Sequence, residues 1–376
     1  MRIAFITVAP PFRGGISKHS SILTDKLSHF HNVDVFNYRR QYPGFLFPGK
    51  TQYEMSPDEN FTSIRCIDSV NPLSWFNTGK KLVKEKYDMV IFRYWNPFFA
   101  PALGTIASVL KRKAPQSKLI SLCDNILPHE YIPMGNFFTE YFLNKMDGHL
   151  VQSSQTEEEL NQIISNPCYV KRLHPLYDNF PEKIDKKFAK EKLGISSKYV
   201  ILYFGLIRQY KGFDILLNAV SELLTLRSDF HVLAAGECYG DDSPYKKIIK
   251  EKNLQQVLTW ENRFIPDDEV ADYFSAADIA ALPYRSASQS GITQIAFHYD
   301  VPVIVTSVGG LPEIVPDGEV GRVIETENPH MLTETLNQCL TEKNLEEMSQ
   351  NIVEHKKQFS WDHFIDGIEE VYSQII

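Results

Sequence analysis

The chain has 376 residues, 43% hydrophobic and 23% charged, a length of about two domains and a balance that excludes fibrous and disordered classes. Its formal net charge of −8 argues against a nucleic-acid binder working through a broadly basic surface. The charge is uneven: residues 1–180 carry 20 Lys+Arg against 16 Asp+Glu, and residues 181–376 carry 19 against 31. Five cysteines (Cys66, Cys123, Cys168, Cys238 and Cys339) are odd in number, with no Cys-x-x-Cys pair, which reads as reduced thiols rather than a disulfide framework or a zinc site. No apolar run approaches the ~18–20 residues of a membrane span. The opening 3–9 stretch reads as a buried strand rather than a signal segment, so the expected location is the cytoplasm.

In chain order, short β-branched runs predict strands over 3–8, 33–37, 63–67, 89–94, 119–123 and 148–152. Amphipathic stretches between them predict helices over 17–30, 102–113 and 156–164. A polar, Lys-rich bridge over 179–192 reads as a linker. The alternation then restarts, with strands over 200–204, 231–235, 257–260, 279–282 and 301–306 and helices over 213–226, 245–252, 268–276 and 291–298. Strands alternating with helices imply right-handed βαβ units and a parallel sheet. The mid-chain restart predicts an α/β protein of two doubly wound domains with a cleft between them, and ligands of such sheets bind beyond the carboxyl ends of the strands.

Four strand ends carry the candidate chemistry. Gly14 and Gly15 lie between a strand and a helix, where backbone can approach a ligand closely. The run from Gly205 to Gly212 places Arg208 and Lys211 beside a helix start, and two cations there suit a diphosphate. Small and polar residues, Ser288, Gln289, Ser290, Gly291 and Ile292, open a helix whose first amides are free to bind an anion. A further Gly309-Gly310 loop follows an apolar strand. The bland alternatives are flexible loops, a solvated basic turn and a plain serine N-cap.

These loops, in this order, resemble those of the retaining glycosyltransferases of family 4, and the resemblance covers nearly the whole chain. Its pieces are Gly14-Gly15, Gly205 through Lys211-Gly212, Phe264-Ile265-Pro266, Gly309-Gly310-Leu311-Pro312-Glu313 and the terminal Phe359-Ser360-Trp361 segment. The resemblance implies the GT-B fold, with an N-terminal acceptor-side domain over 1–180, a C-terminal nucleotide-sugar domain over 190–359, and a helix over 360–376 crossing back to the first. It implies transfer of a sugar from a nucleotide diphosphate (UDP or GDP) to a glycan or lipid-linked acceptor with retention. No cofactor is expected beyond that co-substrate, and no metal, since Asp-x-Asp is absent from the sequence.

Carried over by residue, Arg208 and Lys211 hold the diphosphate and Arg263 and Phe264 lie in the base loop. Ser288 to Ile292 touch the donor sugar and diphosphate, and Gly14, Gly15, Gly205, Glu237 and Gln294 complete the donor set. In Asp124-Asn125-Ile126-Leu127-Pro128-His129-Glu130, similar to a His-Asn-x-x-Pro-His-Glu stretch, His129 is the first catalytic polar contact and Asp124 the second. The sequence departs from the family at its Glu-x7-Glu pair, whose two positions fall on Ala287 and Ile295. Gln294 is adjacent, but one helical step turns a side chain by about 100°.

Two other readings stay open: a nucleotide-sugar epimerase of the same fold, and a non-catalytic nucleotide-sugar-binding module. Trp75, Phe76, Lys80, Lys81, Lys84 and Lys86, the apolar loop 42–48, and Phe137, Phe138, Tyr141 and Phe142 suggest contact with the inner face of an anionic membrane. Their alternative is a solvated basic helix and buried aromatics. His19 and His174 are expected to serve structure.

Overall fold

The computed structural model describes residues 1–44, 51–54, 60–127, 134–176 and 180–376. The chain forms two compact units, Met1–His174 with Trp361–Ile376, and Pro175–Ser360.

The first unit holds a seven-stranded sheet. Its strands are β1 (Arg2–Ile6), β2 (Asn32–Arg40), β3 (Ile64–Asp68), β4 (Met89–Tyr94), β5 (Lys118–Cys123), β6 (Gly148–Val151) and β7 (Tyr169–Lys171). They pair in the order β3-β2-β1-β4-β5-β6-β7, all parallel. The second unit holds a six-stranded sheet of β8 (Tyr199–Phe204), β9 (Phe230–Ala235), β10 (Leu258–Glu261), β11 (Ile279–Leu282), β12 (Val303–Thr306) and β13 (Gly321–Ile324). Its order is β10-β9-β8-β11-β12-β13, again all parallel. Both orders reverse beside the first strand, at β1/β4 and at β8/β11. In doubly wound sheets this switch point opens a crevice beyond the carboxyl ends of the two strands. The central strands β4 and β8 are buried along their whole length, as a sheet covered on both faces requires.

The fold differs from the sequence expectation in three places. The Lys-rich stretch expected as a linker contains a helix, Lys186–Lys192, inside the second unit. Its lysines find carboxylates there: Lys186 and Lys190 bond Asp278 at 2.8 and 3.3 Å, and Lys192 bonds Asp272 at 2.6 Å. Residues expected with the first domain, Pro175, Leu176 and Phe180, fall in the second, where the Leu176 amide donates to the Phe359 carbonyl at 2.9 Å. Strands β7 and β13, three and four residues long, escape pattern reading because a charged residue, Lys171 or Arg322, interrupts so short an apolar run.

The helix Trp361–Ile375 belongs to the first unit. It buries Trp361, Phe364, Ile365, Ile368 and Val371, at i, i+3, i+4, i+7 and i+10, the spacing of one helical face.

Candidate active site

The second unit's switch point is built from four segments. Gly205, with φ +98, carries the chain out of β8. The backbone then zips to the loop after β9, Ile207 N–H donating to Glu237 O at 2.9 Å and Tyr239 N–H to Ile207 O at 3.0 Å. Gly236 permits this approach, because a Cβ there would lie 2.0 Å from the Gly205 carbonyl oxygen. Glu237 is buried, 3% exposed.

Residues Gln209–Lys211 form a single 3-10 turn, closed by Gly212 at φ +68. Gly212 also opens the helix Phe213–Leu223 without a side-chain cap. A Cβ on Gly212 would meet the Pro283 carbonyl oxygen at 2.0 Å, so only glycine lets the turn close against the β11 loop.

This turn holds the two cations that the sequence singled out. The Arg208 guanidinium lies 5.9 Å from the Tyr210 ring centre and 6.0 Å from that of Tyr239. Lys211 Nζ lies 5.4 Å from the Tyr284 ring centre, close to Gly205, where a Cβ would be 3.6 Å from it. Lys211 is half-buried and forms no ion pair among the described residues. Burial, and then the neighbouring charge of Arg208, lower its pKa from 10.5 to about 8. An amine next to a second cation, without a carboxylate to balance it, is a seat for an anion.

After β11 the chain passes through Ala287, Ser288, Gln289 and Ser290 into the helix Gly291–His298. Ile292 packs over Gly205, where a Cβ would lie 3.1 Å from its Cδ1. Ser290 is the N-cap, but its side chain makes no capping bond, so the helix amides keep their free valence. Ser288 O accepts from the Gly310 amide at 2.9 Å, joining the Gly-Gly loop to the same locus. Gln294 is 0% exposed, and neither end of its amide has a protein partner among the described residues. Gln289 Oε1 and Thr293 Oγ1 share that condition. Buried polar atoms in native proteins are almost always satisfied, so this cluster fits a ligand or water that brings hydroxyl groups.

Arg263 is placed differently. Its guanidinium bonds Glu261 at 2.9 Å, Tyr273 at 3.0 Å and Glu269, and the Glu269 bond first of all raises its pKa. It is held by its own strand end and the following turn. Phe264 beside it is half-buried.

In the first unit, Gly14 has φ +109 and caps the helix Gly15–Ser28, which starts with no side-chain cap. Asp124, at the end of β5, is only 5% exposed. Its Oδ2 accepts from Arg93 Nε at 2.7 Å, and its Oδ1 from Arg93 Nη2 and Gln152 Nε2, each at 2.8 Å. Arg93 therefore takes both oxygens of the carboxylate expected at a sugar. Sequence reading passed over Arg93 because it sits mid-strand among apolar residues; a lone arginine in a buried run is the signal that could have found it. Arg93 also donates to His19 Nδ1 at 2.7 Å, and the His19 ring lies edge-on to His174 and Trp361, both at 4.8 Å. His129 and Glu130 lie outside the described residues.

The aromatic and basic stretches separate by residue. Trp75 Nε1 donates to Asp68 O at 2.6 Å, Phe142 is core and Phe138 packs against it. Tyr141 lies over Gly104 and Lys81 over the Phe36 ring. Tyr42 stacks on Phe98, while 45–48 lie outside the described residues. Leu73, Phe76 and Phe137 are exposed, at 72%, 47% and 60%. Six of these residues thus make contacts inside the first unit, Phe142 in its core, Tyr42, Trp75, Phe138 and Tyr141 half-buried and Lys81 exposed. Among the described residues no helix is long and apolar enough to cross a membrane.

Residues 185–359, within the second unit, match the family described as glycosyl transferases group 1. Over its full length the chain is 24% identical to an uncharacterized glycosyltransferase of Methanocaldococcus jannaschii, covering 100% of this chain and 99% of that one. A D-inositol 3-phosphate glycosyltransferase of Corynebacterium aurimucosum is 29% identical over 195 residues, 49% of this chain and 45% of its own; the match spans about half of that relative. Among solved structures, Anabaena HepE in complex with UDP aligns with a TM-score of 0.74 at 15% identity, covering 100% of both chains, and HepE with UDP-glucose with 0.73. The fold is GT-B, two parallel-sheet Rossmann-like domains.

Proposed function

We propose that the chain is a retaining hexosyltransferase that moves a sugar from a nucleoside-diphosphate donor to a glycan or lipid-linked acceptor. The observation that carries this reading is Lys211, a cation at the β8/β11 switch point without an ion-pair partner among the described residues, next to Arg208. In the proposal these two groups and the open ends of the helices Phe213–Leu223 and Gly291–His298 take up the charge of the departing diphosphate. Gln294, with donor and acceptor atoms both unpartnered, meets hydroxyl groups of the donor.

The retaining step follows a front-face course. The acceptor oxygen bonds the anomeric carbon on the face from which the phosphate oxygen leaves, and that oxygen takes the acceptor's proton. Positioning supplies most of the acceleration. His129 is the polar contact assigned to the sugar.

Since HepE is solved with UDP and UDP-glucose, these are the first probes, followed by GDP-hexoses. Donor and a panel of glycans and lipid-linked saccharides should yield a glycosylated product of unchanged anomeric configuration, with full rate in excess EDTA. An inverted product, or a strict metal requirement, would overturn those parts of the proposal. One observation favours a second reading, donor binding without transfer: Ala287 and Ile295, where the family resemblance expects carboxylates, are buried and apolar, 3% and 7% exposed. Donor binding with no turnover across the panel would select it.

A further inference from the structure

The turn that carries Lys211 is small for the task given to it. Two backbone hydrogen bonds within it close it, Lys211 N–H to Arg208 O at 2.9 Å and Gly212 N–H to Gln209 O at 3.2 Å. A three-residue 3-10 turn has little stability of its own, so the position of Lys211 depends on what grips the turn from outside.

Besides a bond of 3.4 Å from the Tyr203 hydroxyl to the Lys211 carbonyl, the turn is gripped by a residue about 75 positions further along the chain. Arg285 follows Tyr284, whose ring faces Lys211. Its Nη1 donates to Gln209 O at 2.7 Å and to Asp214 Oδ1 at 2.9 Å, and its Nη2 to Asp214 Oδ2 at 2.7 Å. Its backbone amide donates to Tyr210 O at 2.6 Å, and its Nε reaches Glu327 at 3.0 Å. Two successive carbonyls of the turn and the first turn of the following helix are thus held by one side chain and its own backbone.

The charge arrangement separates the roles. Arg285 spends its charge on Asp214 and Glu327, so it adds little repulsion to Arg208 and Lys211. A lysine in its place would keep the charge but lose the planar fork that reaches the carboxylate and the carbonyl together.

We infer that Arg285 is a positioning residue that holds the Gln209–Lys211 turn, through Gln209 O and Asp214, so that the Lys211 ammonium stays seated over Tyr284. The part of this inference that concerns a nucleoside diphosphate rests on the proposed function; the seating of Lys211 does not.

The two are tested separately. In ligand-free protein, NMR titration of carbon-13-labelled lysine, with the Lys211 signal assigned from its loss in Lys211→Arg, reads the seat directly. In wild type the signal should titrate near pH 8; in Arg285→Lys, which keeps the charge and is checked for an unchanged fold by circular dichroism, it should move at least one pH unit toward 10.5. An unmoved titration in this variant overturns the inference, whatever the protein binds. In the second arm, calorimetry with UDP and GDP should show Arg285→Lys weakening binding about tenfold, a coupling of ordinary size for groups that act together, and less than about twofold in a Lys211→Ala background. Fully additive effects would mean that Arg285 does not act through Lys211. Failure of wild type to bind either nucleotide would count against the proposed function and leave the first arm to decide the role of Arg285.

Discussion

Lys211 and Asp124 show how one side chain's neighbours decide its chemistry. Lys211 sits beside Arg208 with no compensating acid among the described residues, so removing it should cut transfer at least about 100-fold, the loss typical of one preorganised group opposite developing charge. Near-normal turnover of Lys211→Ala would remove the diphosphate assignment. With its pKa lowered to about 8, Lys211 is charged below that pH and increasingly neutral above it. An anion favours the charged form, so UDP binding near pH 8–9 should take up a proton, and affinity should fall as pH rises. Calorimetry in buffers of different ionisation enthalpy measures that uptake; none at pH 8.5 would contradict it. Asp124, by contrast, is bonded on both oxygens to Arg93. Asp124→Asn leaves a buried guanidinium half-paired and should destabilise the first unit by about 3–5 kcal/mol, read from urea unfolding. Unchanged stability with lost transfer would return Asp124 to the sugar.

Among the elements, the decisive ones are the short turns between strand and helix. The loop after β8 and the loop after β11 meet because Gly212 carries no side chain. Gly212→Ala places a Cβ 2.0 Å from the Pro283 carbonyl oxygen at φ +68, a clash added to a left-handed strain of about 1 kcal/mol or more. The expected result is loss of UDP binding with helix content preserved, by calorimetry and circular dichroism. Tight binding by Gly212→Ala would show that the contact of these loops is dispensable. The helix Pro72–Glu85 is the opposite case, an element with a free face: Leu73, Phe76, Lys80 and Lys84 lie at i, i+3, i+7 and i+11 and are all exposed.

For the whole molecule, the charge asymmetry takes on a location. The basic half contains that free helix face, which is where the contact with an anionic membrane expected from the sequence can be tested. Each lysine near an anionic surface contributes about 1 kcal/mol. Anionic vesicles should co-sediment the protein at low salt, and Lys80→Glu with Lys84→Glu should weaken the association. No pelleting of wild type at low salt ends the membrane proposal. The acidic half carries the site proposed for an acidic donor, so its bulk charge is a poor guide to what it binds.

The sequence by itself determined the doubly wound class, the restart of the second sheet and the loops where chemistry gathers, because strand and helix periods and glycine-rich strand ends are local signals. Gly205, Arg208, Lys211 and Ser288 to Ile292 were all legible this way. Tertiary structure alone decided which charged groups are already satisfied. Arg93 with Asp124 and Arg285 with Asp214 are partners 31 and 71 residues apart. Nothing local in a sequence marks such pairs; they exist because parallel strands bring distant loops to one edge of a sheet, where a charge finds the nearest opposite one.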